Sequence, residues 1–317
     1  MGIRSLKSAS ISTGAKRSKF WDQSSVFMIG VAGYLAGGIG SSNSNQTSIF
    51  KYAFGTDTTS TISASVGTGR YQTGGLSNYA LAGYFLNGYV AGGGESGVSE
   101  KFTFTSETVS SLTGTTPHAE SANVTNSGSW GYQLGGYNGG NLNTSLKFQY
   151  STEVASNATN IAYTDRGMGG VNNKGSKAYY GGGTNTGNTQ YYSWSFSTEA
   201  SSALSGQYVG GGTYLYISGT ASNEGTAGYI NNRANTPAGY LQKLTFSTET
   251  VSSLSAQLRQ GASNACTNIG SYGLFTNDSN AVNGNTDKLN YSTQTVSAGT
   301  AFSTYKNETF YVSNNNY

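Results

Sequence analysis

The sequence predicts an all-β protein, and within that class a β-propeller of four-stranded blades. Three observations lead there. One short phrase recurs six times, with an aligned apolar residue at Phe54, Phe104, Tyr150, Phe196, Phe246 and Tyr291, a spacing of 45 to 50 residues. A period in that range marks a propeller or solenoid built from one repeated unit. Within each phrase apolar side chains sit two residues apart, which places them on one face of a strand. No long stretch carries apolar residues at i, i+3, i+4 and i+7, and 46 glycines in 317 residues argue further against helix.

Each repeat divides into pieces that follow one another along the chain. The first is a Tyr-bearing strand that runs into glycines: Gly33-Tyr34-Leu35-Ala36-Gly37-Gly38, Gly88-Tyr89-Val90-Ala91-Gly92-Gly93, Gly131-Tyr132-Gln133-Leu134-Gly135-Gly136 and Ala178-Tyr179-Tyr180-Gly181-Gly182. Gly228-Tyr229-Ile230 and Ser271-Tyr272-Gly273 are degenerate copies. Paired glycines at a strand end allow positive φ or a close approach to a neighbouring strand. The second piece is the alternating strand, with Lys51, Lys101, Lys147, Lys243 and Lys288 three residues before the aligned aromatic. The copy around Trp194 lacks the lysine.

A Ser/Thr-rich turn follows and ends on Asp57, Glu107, Glu153, Glu199, Glu249 or Gln294. Hydroxyls there bond local backbone and stabilise a tight reversal. The third piece is a strand such as Val109 to Leu112 or Val251 to Leu254. The Ser/Ala/Gly/Asn-rich stretch after it suits an innermost strand, where blades converge on an axis. Glu107, Glu153, Glu199 and Glu249 are therefore expected to be structural, because a catalytic acid is normally singular. The lysines are expected to pair with acids of the same or an adjacent blade.

The ends of the chain set the blade number. Phe310-Tyr311-Val312 is a seventh, terminal strand candidate, and extra residues precede Tyr34. Seven blades closed by N- and C-terminal strands are expected, with six blades plus an N-terminal extension as the alternative. Such closure hides both edges of the ring. The domain division is a basic, aromatic segment over 1–22, for docking or ring closure, and a propeller over 23–317.

Composition narrows the function. Gly, Ser, Thr, Asn and Tyr are abundant enough to suggest a low-complexity tract, but the period-2 alternation argues for a folded chain. No run of 18 apolar residues occurs, so no membrane span is expected, and the N-terminus lacks the apolar core of a secretory signal. Gly2 alone is a weak myristoylation signal. Cys266 and His118 are each the sole residue of their type, which excludes an intrachain disulfide and argues against a metal cluster or a Cys–His dyad. His118, beside Pro117, reads as an exposed loop imidazole. No cofactor is expected.

Of the 17 Lys and Arg, five lie in the first 20 residues, which leaves 12 basic against 14 acidic groups beyond them, a net of −2. Lys16, Arg17, Lys19, Phe20, Trp21 and Asp22 form the candidate docking segment, since Trp and Arg are common at interface hot spots. Burial of Trp21 against the first blade is the competing reading. A basic tail on a near-neutral body is a poor nucleic-acid footprint.

The Gly-Tyr…Gly-Gly strand followed by an alternating aromatic strand resembles kelch-like propellers from about Tyr34 onward, without the regular Tyr and Trp spacing of kelch blades. The text Phe246-Ser247-Thr248-Glu249-Thr250, with Phe104 to Thr108 close to it, is similar to repeat proteins of cyanobacteria and their tailed phages. Ser10 to Asp22, with its Lys19-Phe20-Trp21-Asp22 element, resembles the start of phage structural proteins. The resemblance implies a non-enzymatic structural or adhesion component of a virion (tail, fibre or decoration), assembled in the host cytoplasm and docked to other virion proteins. The alternative is a lectin-like propeller for host-surface glycans, with loop tips such as Asn138–Asn143 and Thr184–Gln190. A sialidase-type site would need an arginine cluster, whereas the body offers Arg70, Arg166, Arg233 and Arg259.

Overall fold

A computed structural model describes residues 31–40, 44–72, 74–79, 81–90, 92–115, 117–126, 128–173, 175–184, 190–207, 217–223, 225–232, 239–259, 262–268, 270–277, 284–303 and 310–314. Among them there is no helix. Six four-stranded antiparallel sheets form the blades of a propeller.

Blade 1 contains β1 (Ala32–Ala36), β2 (Ser48–Ala53) and β3 (Thr58–Ser65). Blade 2 contains β4 (Gly74–Asn78), β5 (Ala82–Leu86), β8 (Ser99–Thr103) and β9 (Thr108–Ser111), with a two-stranded ribbon of β6 (Tyr89–Val90) and β7 (Gly94–Glu95) inserted between β5 and β8. Blade 3 is β10 (Ala122–Asn126), β11 (Trp130–Tyr137), β12 (Asn141–Gln149) and β13 (Val154–Ala158). Blade 4 is β14 (Met168–Asn173), β15 (Lys177–Gly182), β16 (Gln190–Ser195) and β17 (Ala200–Gln207). Blade 5 is β18 (Ile217–Asn223), β19 (Ala227–Asn232), β20 (Gly239–Thr245) and β21 (Thr250–Leu258). Blade 6 is β22 (Ala262–Asn268), β23 (Tyr272–Asn277), β24 (Gly284–Asn290) and β25 (Val296–Phe302).

The last strand, β26 (Phe310–Asn314), does not begin a seventh blade. It pairs antiparallel with β1, Tyr34 opposite Val312, so that blade 1 has the order β26-β1-β2-β3. The expected seven blades are thus corrected to six, the stated alternative. Closure does mix strands from the two ends of the chain, but the C-terminal strand completes the first blade. The small-residue stretches are the innermost strands, and β26, β4, β10, β14, β18 and β22 touch in a closed cycle.

The core lies between blades. The Tyr of each second strand stacks on the aligned aromatic of the next blade: Tyr34 on Phe104 at 5.5 Å, Tyr84 on Tyr150 at 5.2 Å, Tyr132 on Phe196 at 5.5 Å, Tyr179 on Phe246 at 5.2 Å and Tyr229 on Tyr291 at 5.0 Å. Blade 6 meets blade 1 edge-on, Tyr272 against Phe54 at 5.8 Å. Blade 2 uses Tyr84, not Tyr89; Tyr89 and Val90 pair with Glu95 and Gly94 in the inserted ribbon instead.

The glycine before the stacking Tyr answers to space. A Cβ on Gly83 would meet Val312 at 2.5 Å, and one on Gly228 would meet Val171 at 2.4 Å. In both cases an apolar side chain of the previous blade's innermost strand lies flat on the glycine.

Candidate functional site

Antiparallel order sends the connections to two ends. One end carries the hairpins from first to second strand and the turns with the repeated acids. The other carries the second-to-third loops and the crossovers between blades.

At the acid end the repeated acids bridge neighbouring blades. Asp57, Glu107, Glu153, Glu199, Glu249 and Gln294 all occupy the left-handed region, with φ between 50° and 57°. From that position each of four glutamates reaches back to the preceding blade and takes two donors. Glu107 Oε1 accepts from Lys51 Nζ at 2.6 Å and from the Tyr34 hydroxyl at 3.0 Å. Glu199 Oε1 accepts from Lys147 at 2.6 Å and Tyr132 at 3.3 Å, and Glu153 Oε1 from Lys101 at 2.5 Å and Tyr84 at 3.4 Å. In blade 4, where the aligned position is Ser193, Lys177 supplies the ammonium to Glu249 at 2.7 Å beside Tyr179 at 3.1 Å. Lys288 pairs with Asp57 across the junction of blades 6 and 1. The acids are bound to adjacent blades, and burial plus the facing carboxylate pushes the Tyr84 hydroxyl up to about 12.

The opposite end of blades 2 to 4 holds a different group of side chains. Tyr71, in the crossover from blade 1, stacks on Tyr89 of the ribbon at 5.5 Å, and Tyr89 meets Tyr137 at 6.1 Å. The Arg166 guanidinium lies over the Tyr137 ring at 4.3 Å, and its Nε stands 3.5 Å from Glu120 Oε2. Gly139 N–H donates to Glu95 Oε1 at 3.2 Å. All three tyrosines, Glu120 and Arg166 are half-buried.

Backbone bonds sew these segments together. Tyr71 and Tyr89 exchange both N–H···O bonds, as do Ala119 and Tyr137. Glu120 N–H donates to Gln72 O, and Gly167 N–H to Glu120 O, just before the innermost strands begin. Gln72, Glu120 and Gly167 are all at positive φ, 51°, 54° and 69°. Asp165, fully buried, accepts from the backbone N–H groups of Arg166 at 2.8 Å and Thr184 at 3.0 Å, which anchors the loop that presents Arg166. Burial, then the nearby Glu120 charge, raises the Tyr89 hydroxyl. The result is a platform of aromatic edges, the Arg166 guanidinium and the carboxylates of Glu95 and Glu120 at this end of blades 2 to 4. Rings with hydrogen-bonding tips suit flat, amphipathic ligands.

His118 is corrected: it is buried, 2 % exposed, and its Nδ1 lies 2.9 Å from Gly135 O, so it fastens the crossover to blade 3. Cys266 is in the innermost strand β22. Lys16, Arg17, Lys19, Phe20, Trp21 and Asp22 lie outside the described residues, as do residues 185–189 of the loop tip Thr184–Gln190. The tip Asn138–Asn143 follows Tyr137 directly and is part of the platform's edge. Tyr71, Tyr137, Glu120 and Arg166 were not singled out by sequence, since they fall in the connections or, for Tyr137, at the very end of β11, where the repeat carries no signal. Among the described residues no group of three or more His, Cys, Asp or Glu could hold a metal, and no helix is long and apolar enough to cross a membrane.

Fold and site together define a six-bladed β-propeller whose repeated charges tie blade to blade. In comparisons with family models and with curated proteins, the chain matches none.

Proposed function

We propose that the chain is a non-enzymatic structural or adhesion component of a phage virion, docked to other virion proteins through its N-terminal segment. The observation that carries this reading is the use of its repeated acids: Glu107, Glu153, Glu199 and Glu249 are all engaged by a lysine and a tyrosine of the neighbouring blade. Such a ring is a scaffold that works through its surfaces. The likeness of Lys19-Phe20-Trp21-Asp22 to the start of phage structural proteins supplies the particle. Immunogold labelling of purified particles tests it: label on the particle is expected, and protein found only in the soluble fraction of infected cells overturns it. With Lys16→Ala, Lys19→Ala and Trp21→Ala combined, the protein stays folded and no longer joins the particle.

A second reading, recognition of host-surface glycans, draws on the platform of Tyr71, Tyr89, Tyr137, Glu120 and Arg166. Glycan-array binding that Tyr137→Ala and Arg166→Ala abolish supports it, and no binding at millimolar sugar removes it.

A further inference from the structure

One junction of the ring lacks the turn acid that the other five share. Between blades 5 and 6 every geometric part of the clamp is present. Tyr229 sits opposite Lys243 in the strand register, as Tyr34 does opposite Lys51 and Tyr132 opposite Lys147. Tyr229 stacks on Tyr291 at 5.0 Å and 12°. The turn residue keeps its left-handed φ of 54°, but it is Gln294 instead of an acid. Among the described residues no carboxylate pairs with Lys243 and none accepts from the Tyr229 hydroxyl.

The same seam bears a groove of about 700 Å³, lined by Ser253, Ser255 and Gln257 of β21 and by Thr293, Gln294 and Thr295 of blade 6. That volume falls within the ~300–1,000 Å³ typical of ligand clefts. One wall, β21, is the outermost strand of its sheet, so one edge of its backbone is not used by that sheet. An edge strand can accept an extended chain, with main-chain bonds giving affinity and side-chain contacts giving selectivity.

We propose that this seam receives the carboxylate of an acidic side chain from an extended peptide segment of a protein partner. Lys243 and the Tyr229 hydroxyl hold it as Lys147 and Tyr132 hold Glu199, at 2.6 and 3.3 Å. Gln294, neutral and half-buried at the groove, moves aside at no cost in charge. Lys243 does not line the groove but lies opposite Ser252, next along β21 to the wall residue Ser253. One ammonium thus flanks a hydroxyl-rich wall and selects an isolated acid among polar neighbours, the chemistry of the chain's own Ser-Thr-Glu-Thr turns.

The test titrates the full chain by calorimetry with the capped peptide acetyl-Ser-Thr-Glu-Thr-Val-amide and its Glu→Gln counterpart. A charge-assisted contact is worth ~1.5 kcal/mol, so the acidic peptide is expected to bind about tenfold tighter. Lys243→Met and Gln294→Glu should each abolish that preference, the second by filling the site from within. Gln294→Glu should also melt no lower than wild type. Equal binding of the two peptides, no binding at millimolar concentration, or an oligogalacturonate preferred over the acidic peptide overturns the proposal. So does a preference that survives Lys243→Met.

Discussion

Glu100 and Glu199 both face a cation, and the same change, Glu→Gln, should have very different effects at the two sites. Glu100 lies inside blade 2, where its Oε2 accepts from Arg70 Nη2 at 2.8 Å and its Oε1 from Gly67 N–H at 2.5 Å. The side chains are 3 % and 0 % exposed, so neither charge has water to fall back on. Removing one charge of such a pair leaves the other buried and uncompensated, at ~3–5 kcal/mol. Gln keeps the shape and can still accept from Gly67, which places Glu100→Gln near the lower end, about 3 kcal/mol. Glu199 and Lys147 are 22 % and 23 % exposed, and water screens the loss, so Glu199→Gln should cost no more than ~1 kcal/mol. Urea unfolding followed by tryptophan fluorescence measures both. Arg70→Met with Glu100→Leu should recover most of the loss, because a buried ion pair replaced by apolar groups is often neutral. Equal destabilisation by the two Gln variants, or a double variant as unstable as Glu100→Gln, would refute the assignment of the difference to burial.

Gly228→Ala should destabilise by ~1–3 kcal/mol through overpacking on Val171, and Val171→Ala in the same chain should return part of it; denaturant midpoints of the four-member cycle show whether the two sites couple. Burial, the larger effect, lowers the His118 pKa below its ordinary 6.5, although its contact with Gly135 O opposes that shift. The unfolded chain therefore binds the proton first, so stability is full above about 6.5 and falls as pH drops from there toward the folded value; His118→Gln should flatten that slope in melting curves taken across it. In an ultraviolet difference titration, Tyr84 should ionise only near pH 12, and Glu153→Gln should bring it lower.

The repeat itself was legible in the chain. Alternation at Lys51 to Phe54 and its five copies, the acid at the end of each turn and the small residues of the inner strand are local patterns, set by side-chain period and turn chemistry. They indicated four-stranded blades, the inner strand and the shared turn position of Glu107, Glu153, Glu199 and Glu249. The blade number was not legible, because Phe310-Tyr311-Val312 reads equally well as the start of a seventh blade or the completion of the first, and only its pairing with β1 distinguishes them. Tyr89 was taken for Tyr84 for a related reason: Gly88-Tyr89 matches the motif, yet the strand is decided by which tyrosine lies opposite Lys101 and stacks on Tyr150. Beyond the loop tip Asn138–Asn143 the platform was hidden, since Tyr71, Tyr89 of the inserted ribbon, Tyr137 at the end of β11 and Arg166 belong to separate segments that only the packing of blades 2 to 4 brings side by side. Sequence by itself determined what each repeat does locally, where neighbours along the chain supply the interactions. Tertiary structure decided how many repeats close the ring, which blade each charge serves and which loop residues meet, because those contacts, from Tyr71 with Tyr89 to Tyr34 with Val312, lie beyond the reach of any local pattern.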